Sequence, residues 1–188
     1  MNFNRHYNLK GLHAPFSASK PSWLRYDDDK ILEVYTNLRA AEMGTKLHDW
    51  AQKTIDLGIK QPRSKKTIYA YVNDAIGYRM DTEVVLLYST RFFGTADAIC
   101  FRNNLLRIHD LKTGKNPVKM EQLEVYAALF CLEYNIPPGG IDMELRIYQN
   151  DEVLVHNPTA EDILPIMDKI VHTDKLLAKL ECEEVITA

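Results

Sequence analysis

A chain of 188 residues with 46% hydrophobic and 26% charged residues has the composition of one globular domain, here 1–188, that buries its own core. Its N-terminus is polar and its longest aliphatic run, at 84–88, is too short to cross a bilayer, so neither a secretory signal nor a membrane span is expected. Three scattered cysteines (Cys100, Cys131 and Cys182) argue against a zinc or iron–sulfur site and favour a cytoplasmic protein.

The formal net charge of −3 is unevenly distributed, because residues 142–188 hold 11 acidic and 4 basic side chains. Two runs of cations contain no acid, namely Lys60, Arg63, Lys65 and Lys66, and then Lys112, Lys115 and Lys119. Such runs can follow a phosphate backbone. For the first run a solvated basic loop is an equally good interpretation. The negative net charge therefore does not exclude nucleic acid as a partner.

Hydrophobic periodicity and turn residues predict the helices and strands in chain order. After a structured loop over 11–26, a helix is expected from the aspartates at 27–29 to about residue 57, and Gly44 is expected to kink or split it. A shorter helix over 67–77 and strands at about 83–89, 92–102 and 105–112 follow. The remaining elements are a helix over about 119–134, strands over 141–149 and 152–156, and a helix from a capping box at Thr159 and Asp162 to about residue 182. This order predicts an α+β or α/β sandwich around a small mixed sheet.

The segment GTADAICFRNNLLRIHDLKTGK, at 94–115, reads as a β-hairpin. Asparagine tolerates the positive φ that a two-residue turn requires, so we expect the turn at Asn103-Asn104. With that turn Asp97 faces Asp110, and Lys112 shares their side because side chains alternate along a strand. Opposed carboxylates repel, and a hard divalent cation would hold them together. A register shifted by one residue, with solvated strand ends, is the alternative.

These residues resemble the PD-(D/E)XK nuclease superfamily, particularly its RecB-like and phage-exonuclease-like branch. The features of that branch are an aspartate after a small-residue turn, a D/E-x-K strand, a helix with Q-x-x-x-Y and an upstream helical histidine after G-T. Their counterparts here are Asp97 in GTADAI, Asp110-Leu111-Lys112, Gln122 with Tyr126, and His48 in Gly44-Thr45-Lys46-Leu47-His48. The opening HAPFSASKPSWLRY also resembles the S-x-S entry of phage-associated members. The resemblance covers residues 13 to 135.

The resemblance implies a restriction-endonuclease-like αβββαβ core and hydrolysis of DNA phosphodiesters that depends on Mg²⁺ or Mn²⁺. The implied metal ligands are His48, Asp97, Asp110 and the Leu111 carbonyl. Lys112 would position or activate the attacking water, with Gln122 and Tyr126 beside it. The expected DNA contacts are Thr113, Lys115 and Lys119, which follow the D-x-K strand into the next helix.

The residues taken singly leave alternatives open. A lone helical histidine such as His48 is more often structural than a ligand. Gln122 could be an ordinary residue of a first helical turn, and Tyr126 could pack in the core. An exonuclease of phage or prophage recombination or DNA processing is the leading interpretation, with a phage recombination or annealing protein and a second copy of the chain as further partners. The competing functions are a structure-specific or restriction-like endonuclease and a catalytically inactive member that binds DNA or protein.

Overall fold

The computed structural model describes residues 5–9, 11–12, 14–114 and 116–187, without the side chains of Leu9 and of residues 183–187. The predicted DNA contact Lys115 and the first residue of the S-x-S resemblance, His13, lie outside the described residues. The chain forms two compact units, Met1–Thr45 and Lys46–Ala188. The prediction of a single nuclease domain over 1–188 stays a prediction.

The first unit contains short 3-10 helices at Tyr7–Leu9 and Pro21–Arg25 and most of helix α1, Asp28–Asp56. The backbone N–H of Lys30 donates to Asp27 Oδ1 at 2.8 Å, so an aspartate caps the helix at its predicted start. Helix α1 is not divided at Gly44. A glycine costs a helix interior only about 0.5–1 kcal/mol, which a helix of this length tolerates.

The second unit contains the rest of the helices and all strands of the described chain. They are α2 (Thr67–Tyr78), β1 (Asp81–Ser89), β2 (Phe92–Arg102), β3 (Leu105–Leu111), α3 (Glu121–Glu133), a short 3-10 helix (Pro138–Gly140), β4 (Asp142–Gln149), β5 (Glu152–His156) and α4 (Ala160–Thr187). Every predicted helix and strand is found, and the last helix runs beyond its predicted end. No helix in the described part of the chain combines the length and the apolarity that a bilayer crossing needs.

The five strands form one sheet in the order β1-β2-β3-β4-β5. β3 and β4 are parallel, and the other neighbours are antiparallel. The connection between β3 and β4 contains α3, which packs across β1 to β4 with α4 against it, while α2 packs on β3 and β4. The fold is therefore α+β, with a mixed sheet flanked by helices, as predicted at that level.

Two apolar clusters fill the space between the sheet and the helices. The α3 cluster includes Leu106 and Ile108 of β3, and the α2 cluster includes Leu111 of the same strand. Each such side chain contributes about 1.5–3 kcal/mol when it is fully buried. Because β3 is covered on both sides, a charged residue near its end is also buried.

Candidate active site at the end of the central hairpin

The turn between β2 and β3 fixes how the two strands are aligned. Asn103 and Asn104 have φ of 51° and 64°, as a two-residue turn of type I′ requires. The register that follows pairs Ile99 with Ile108 and continues without a shift along the hairpin. The predicted turn and register are therefore confirmed, and the alternative of a shifted register is excluded.

The paired ladder ends at Ala98 and His109, and one step further Asp97 lies opposite Asp110. The backbone N–H of Leu111 donates to Asp97 Oδ2 at 2.9 Å, so the carboxylate of one strand is tied to the main chain of the other. Leu111 thus reaches the site through its amide. Its carbonyl as a metal ligand stays a prediction.

Asp110 begins a chain of polar contacts that leads to helix α3. Its side chain is 2% exposed, and Lys112 Nζ donates to Oδ1 at 3.1 Å. Nζ also lies 3.0 Å from Oδ2, but without hydrogen-bond alignment, so Oδ2 has no hydrogen-bond partner among the described residues. Lys112 Nζ also donates to Gln122 Oε1 at 2.8 Å, and Gln122 Nε2 donates to the Tyr126 hydroxyl at 3.0 Å. The structure therefore brings together four of the predicted site residues.

His48 approaches the same place from helix α1. Its Nδ1 lies 3.4 Å from Asp97 Oδ2, and 30% of its side chain is exposed. Ala51, one turn further along α1, is buried in the α2 cluster. The imidazole is therefore at the edge of the core and directed to a carboxylate, which argues against a purely structural core histidine.

The environment of Asp97 disfavours its ionised form. Burial raises the pKa of Asp97 to about 6, and the charge of Asp110 adds to the rise, while the Leu111 N–H and His48 oppose it. A carboxyl group perturbed in this way by burial and a specific charged neighbour is typical of functional sites.

Glu83 and Tyr71 lie near the site, and sequence reasoning missed both. Glu83 of β1 lies opposite Asp97, and the strand register pairs the residues on both sides of Glu83 but not Glu83 itself. Its φ of 51° is uncommon for a residue other than glycine, and such conformations concentrate at functional sites. Burial raises the pKa of the Tyr71 hydroxyl, and the charges of Asp97, Asp110 and Glu83 raise it further. An acid opposite Asp97 in the β1–β2 pairing was the available sequence signal for Glu83.

The segment after β3 carries the predicted DNA contacts that the structure describes. Thr113 and Lys119 are exposed, and Lys119 Nζ lies 3.6 Å from Glu121 Oε1. The buried side chain of Gln149 donates to the carbonyl oxygens of Gly114 and Asn116 at 2.6 and 2.8 Å. Gln149, which sequence reasoning also missed, thus anchors the loop that begins at Lys112.

His48, Asp97 and Asp110 are the side chains of this site that could coordinate a divalent cation. Among the residues that the structure describes, no three His, Cys, Asp or Glu side chains converge closely enough to hold a metal ion. The kinds of donor nevertheless fit Mg²⁺ or Mn²⁺, because the His48 imidazole lies 3.4 Å from the Asp97 carboxylate and the charge of Asp110 is close enough to raise the pKa of Asp97. Asp110 Oδ2 is a buried oxygen that accepts no hydrogen bond from the described residues, and the Lys112 ammonium 3.0 Å away compensates its charge without the alignment of a hydrogen bond. The residues present therefore fit the cation in their chemistry.

Gly94 provides the space that Tyr126 occupies. A Cβ atom at this position would lie 2.7 Å from Tyr126 Cε1, closer than carbon atoms approach without displacement. The glycine that begins the GTADAI motif thus allows the tyrosine ring to lie against β2 and to hold Gln122.

Comparisons of the chain with protein-family models, curated proteins and solved structures give no match.

Asp97→Asn is expected to remove a pH dependence of stability in buffer with EDTA. The pKa of folded Asp97, about 6, lies above the unfolded value of about 3.9. Its contribution to the free energy of unfolding is therefore present below pH ~4 and is lost as the pH rises through about 6, by about 2–3 kcal/mol. Urea denaturation between pH 4 and 8 measures the free energy of unfolding of both proteins. The value for wild type minus the value for the variant is expected to fall as the pH rises. Asp151→Asn, in the exposed β4–β5 turn, is the control. If the difference in free energy of unfolding between wild type and Asp97→Asn stays constant with pH, the Asp97 carboxylate is not buried as described.

Gly94→Ala is expected to destabilise the protein by about 1–3 kcal/mol, because the methyl group displaces the Tyr126 ring. In a Tyr126→Ala background the same substitution should cost much less, since the clashing ring is gone. A double-mutant cycle by chemical denaturation measures this coupling. If Gly94→Ala lowers the free energy of unfolding equally in both backgrounds, a clash with the Tyr126 ring is not the cause.

Proposed function

We propose that the chain is a Mg²⁺- or Mn²⁺-dependent deoxyribonuclease with a restriction-endonuclease-like αβββαβ core, similar to the RecB-like and phage-exonuclease-like PD-(D/E)XK nucleases. The observation that carries the proposal is the meeting of Asp97, Asp110 and Lys112 at the end of one hairpin, with Asp110 almost fully buried. Exonuclease action in phage recombination or DNA processing is the form that we favour, on the resemblance of the sequence.

The proposed metal ligands are the Asp97 and Asp110 carboxylates and the His48 imidazole, with the Leu111 carbonyl as a further oxygen donor. When bound, the cation supplies Lewis-acid stabilisation of the negative charge on the phosphate. The ligands come from strands β2 and β3 and from helix α1. Burial favours cation binding here, because the two carboxylates together carry more negative charge than the Lys112 ammonium offsets, and charges interact more strongly in a low-dielectric site.

Lys112 is the proposed catalytic cation. Its ammonium is held by Asp110 and by Gln122 Oε1, and Gln122 is in turn held by the Tyr126 hydroxyl. An ammonium fixed in this way can orient the attacking water and stabilise charge that develops in the transition state. Gln122 and Tyr126 then act as positioning residues, because they restrict where the ammonium lies.

DNA is the proposed substrate, and its path follows the exposed segment after β3. Thr113 and Lys119 are exposed there, and Lys115 belongs to the same run in the sequence. A phage recombination or annealing protein and a second copy of the chain remain proposed partners, as the resemblance implies.

A non-catalytic DNA-binding protein is the second candidate, and two observations favour it. No three ligands converge on one point among the described residues, and the Lys112 ammonium contacts Asp110 directly. An endonuclease would use the same residues as an exonuclease, so the two differ in their substrates rather than in this site.

Mn²⁺ is expected to bind the wild-type protein and to bind Asp110→Asn at least about tenfold more weakly. His48→Ala should also lose affinity with little change in the melting temperature in EDTA, because its side chain is partly exposed. Isothermal titration calorimetry measures the affinity, and Asp142→Asn, on the exposed first residue of β4, is the control. Unchanged Mn²⁺ binding in both site variants would refute the metal assignment.

Lys112→Ala is expected to bind Mn²⁺ and DNA but to cleave at least about a hundredfold more slowly, since its charge acts mainly in the transition state. Labelled linear, circular and single-stranded DNA are incubated with Mg²⁺, Mn²⁺ or EDTA, and Lys169→Ala on α4 is the control. Cleavage restricted to DNA with ends supports an exonuclease, and cleavage of circles an endonuclease. If the wild-type protein binds DNA but cleaves none of these forms, the non-catalytic candidate is correct.

A further inference from the structure

A cavity of about 300 Å³ lies between helices α1 and α2, and its lining, called here the aromatic cavity, consists of Leu47, Trp50, Lys66, Ile68 and Tyr69. The rings of Trp50 and Tyr69 have centroids 6.1 Å apart and planes inclined at 43°. Lys66 Nζ lies 5.4 Å from the centroid of the Tyr69 ring. The cavity therefore combines two aromatic rings with a cation.

The aromatic cavity lies at the edge of the core, where only Ile68 of its lining packs against the α2 cluster. Trp50 remains 37% exposed, although a tryptophan usually buries most of its large surface. Ala51 and Ile55, the neighbouring residues that α1 contributes to the α2 cluster, are buried. A partly exposed tryptophan beside a second ring and a lysine is more typical of a binding surface than of internal packing.

The basic run of the sequence leads directly to this cavity. It consists of Lys60, Arg63, Lys65 and Lys66, and none of the four forms an ion pair with any residue that the structure describes. The segment is anchored to α2, because the Gln61 N–H donates to Asn73 Oδ1 at 2.8 Å and Asn73 Nδ2 donates to the Gln61 carbonyl at 3.0 Å. Anchoring near an aromatic surface distinguishes this run from an ordinary solvated loop.

Aromatic rings beside unpaired cations fit one class of ligand best, a nucleobase together with its phosphodiester. The rings stack on a base and the cations neutralise the backbone, which is how proteins bind single strands without sequence preference. The face of a base is accessible only when that base is unstacked, so a blunt duplex does not offer it. We propose that the aromatic cavity and the basic run bind a base and the adjoining phosphates in a single-stranded segment of nucleic acid.

The cavity and the candidate active site share helix α1. His48 lies between Leu47 and Trp50 in the sequence, and Trp50 is only about 3 Å further along the helix axis. Residues two positions apart project from nearly opposite sides of a helix, so a base held by Trp50 would lie across α1 from His48, at about the same level along its axis. The inference rests on the proposed function for this placement, and it names single-stranded ends or overhangs as the substrate class. Binding itself can be measured without cleavage.

Trp50 fluorescence tests the proposal directly. The chain has 2 tryptophans, so Trp23→Phe leaves Trp50 as the reporter. With EDTA present to prevent cleavage, an oligothymidylate is expected to quench Trp50, and a blunt duplex of equal length to quench it much less. An RNA oligonucleotide that binds equally well would also support a base-stacking site, and would extend the ligand to RNA. No quenching, or equal quenching by the duplex, would overturn the proposal.

Substitutions separate stacking from loss of folding. Trp50→Ala and Tyr69→Ala should each weaken single-strand binding, by anisotropy, by roughly five- to a hundredfold. Trp50→Phe should retain most of the affinity, and Tyr134→Ala, an exposed tyrosine after α3, is the control. Circular dichroism checks that each variant is folded. Equal affinities for Trp50→Ala and Tyr134→Ala would overturn the proposal.

Charge variants and cleavage complete the test. Lys65→Gln with Lys66→Gln should flatten the salt dependence of single-strand binding by about one unit, whereas Lys175→Gln with Lys179→Gln on α4 should not. Equal slopes for the two double variants would argue against the basic run. If single strands quench Trp50 but no DNA is cleaved, the stacking site stands and the nuclease proposal fails. If DNA is cleaved but single strands do not quench Trp50, the nuclease proposal stands and the stacking site fails.

Discussion

The turn at Asn103 and Asn104 is the constraint on which the candidate site depends. Both residues adopt positive φ, and this geometry sets the alignment of β2 against β3. Side chains alternate between the two faces of a sheet, so a slip of one residue would move a carboxylate to the opposite face. The opposition of Asp97 and Asp110 therefore follows from the turn, and Lys112 joins them through the same alternation.

Two neighbouring carboxylates in a partly dry site weaken the fold. Asp110 is 2% exposed, and the rise in the pKa of Asp97 to about 6 corresponds to about 3 kcal/mol. That is a large fraction of the 5–15 kcal/mol by which domains are typically stable. His109 does not compensate, because burial and the charges of Arg146 and Arg107 lower its pKa to about 3 and keep it neutral. The pair therefore costs the fold stability, and the proposed function gives it a chemical reason.

Local signals account for the parts of the fold that the sequence predicts well. The asparagine turn, the alternating strands and the cap at Asp27 depend on neighbouring residues. Gln122 and His48 could be assigned only through the family resemblance, since their partners lie on other elements. Glu83 was missed because it comes opposite Asp97 only through the pairing of β1 with β2, which was not predicted. Gln149 was missed because its loop contacts exist only once β4 lies parallel to β3.

The candidate site combines rigid and adjustable parts. Asp97 and Asp110 stand on strands whose positions are fixed by ladder hydrogen bonds and by apolar clusters on both faces. His48 and Gln122 stand on helices and meet the site through single side-chain contacts, of 3.4 Å to Asp97 and 2.8 Å to Lys112. The backbone of Asp97 and Asp110 is therefore held by the sheet, whereas His48 and Gln122 reach the site only through their side chains. In the proposed function the acids would therefore define where a cation binds, and the residues from α1 and α3 would complete the site around it.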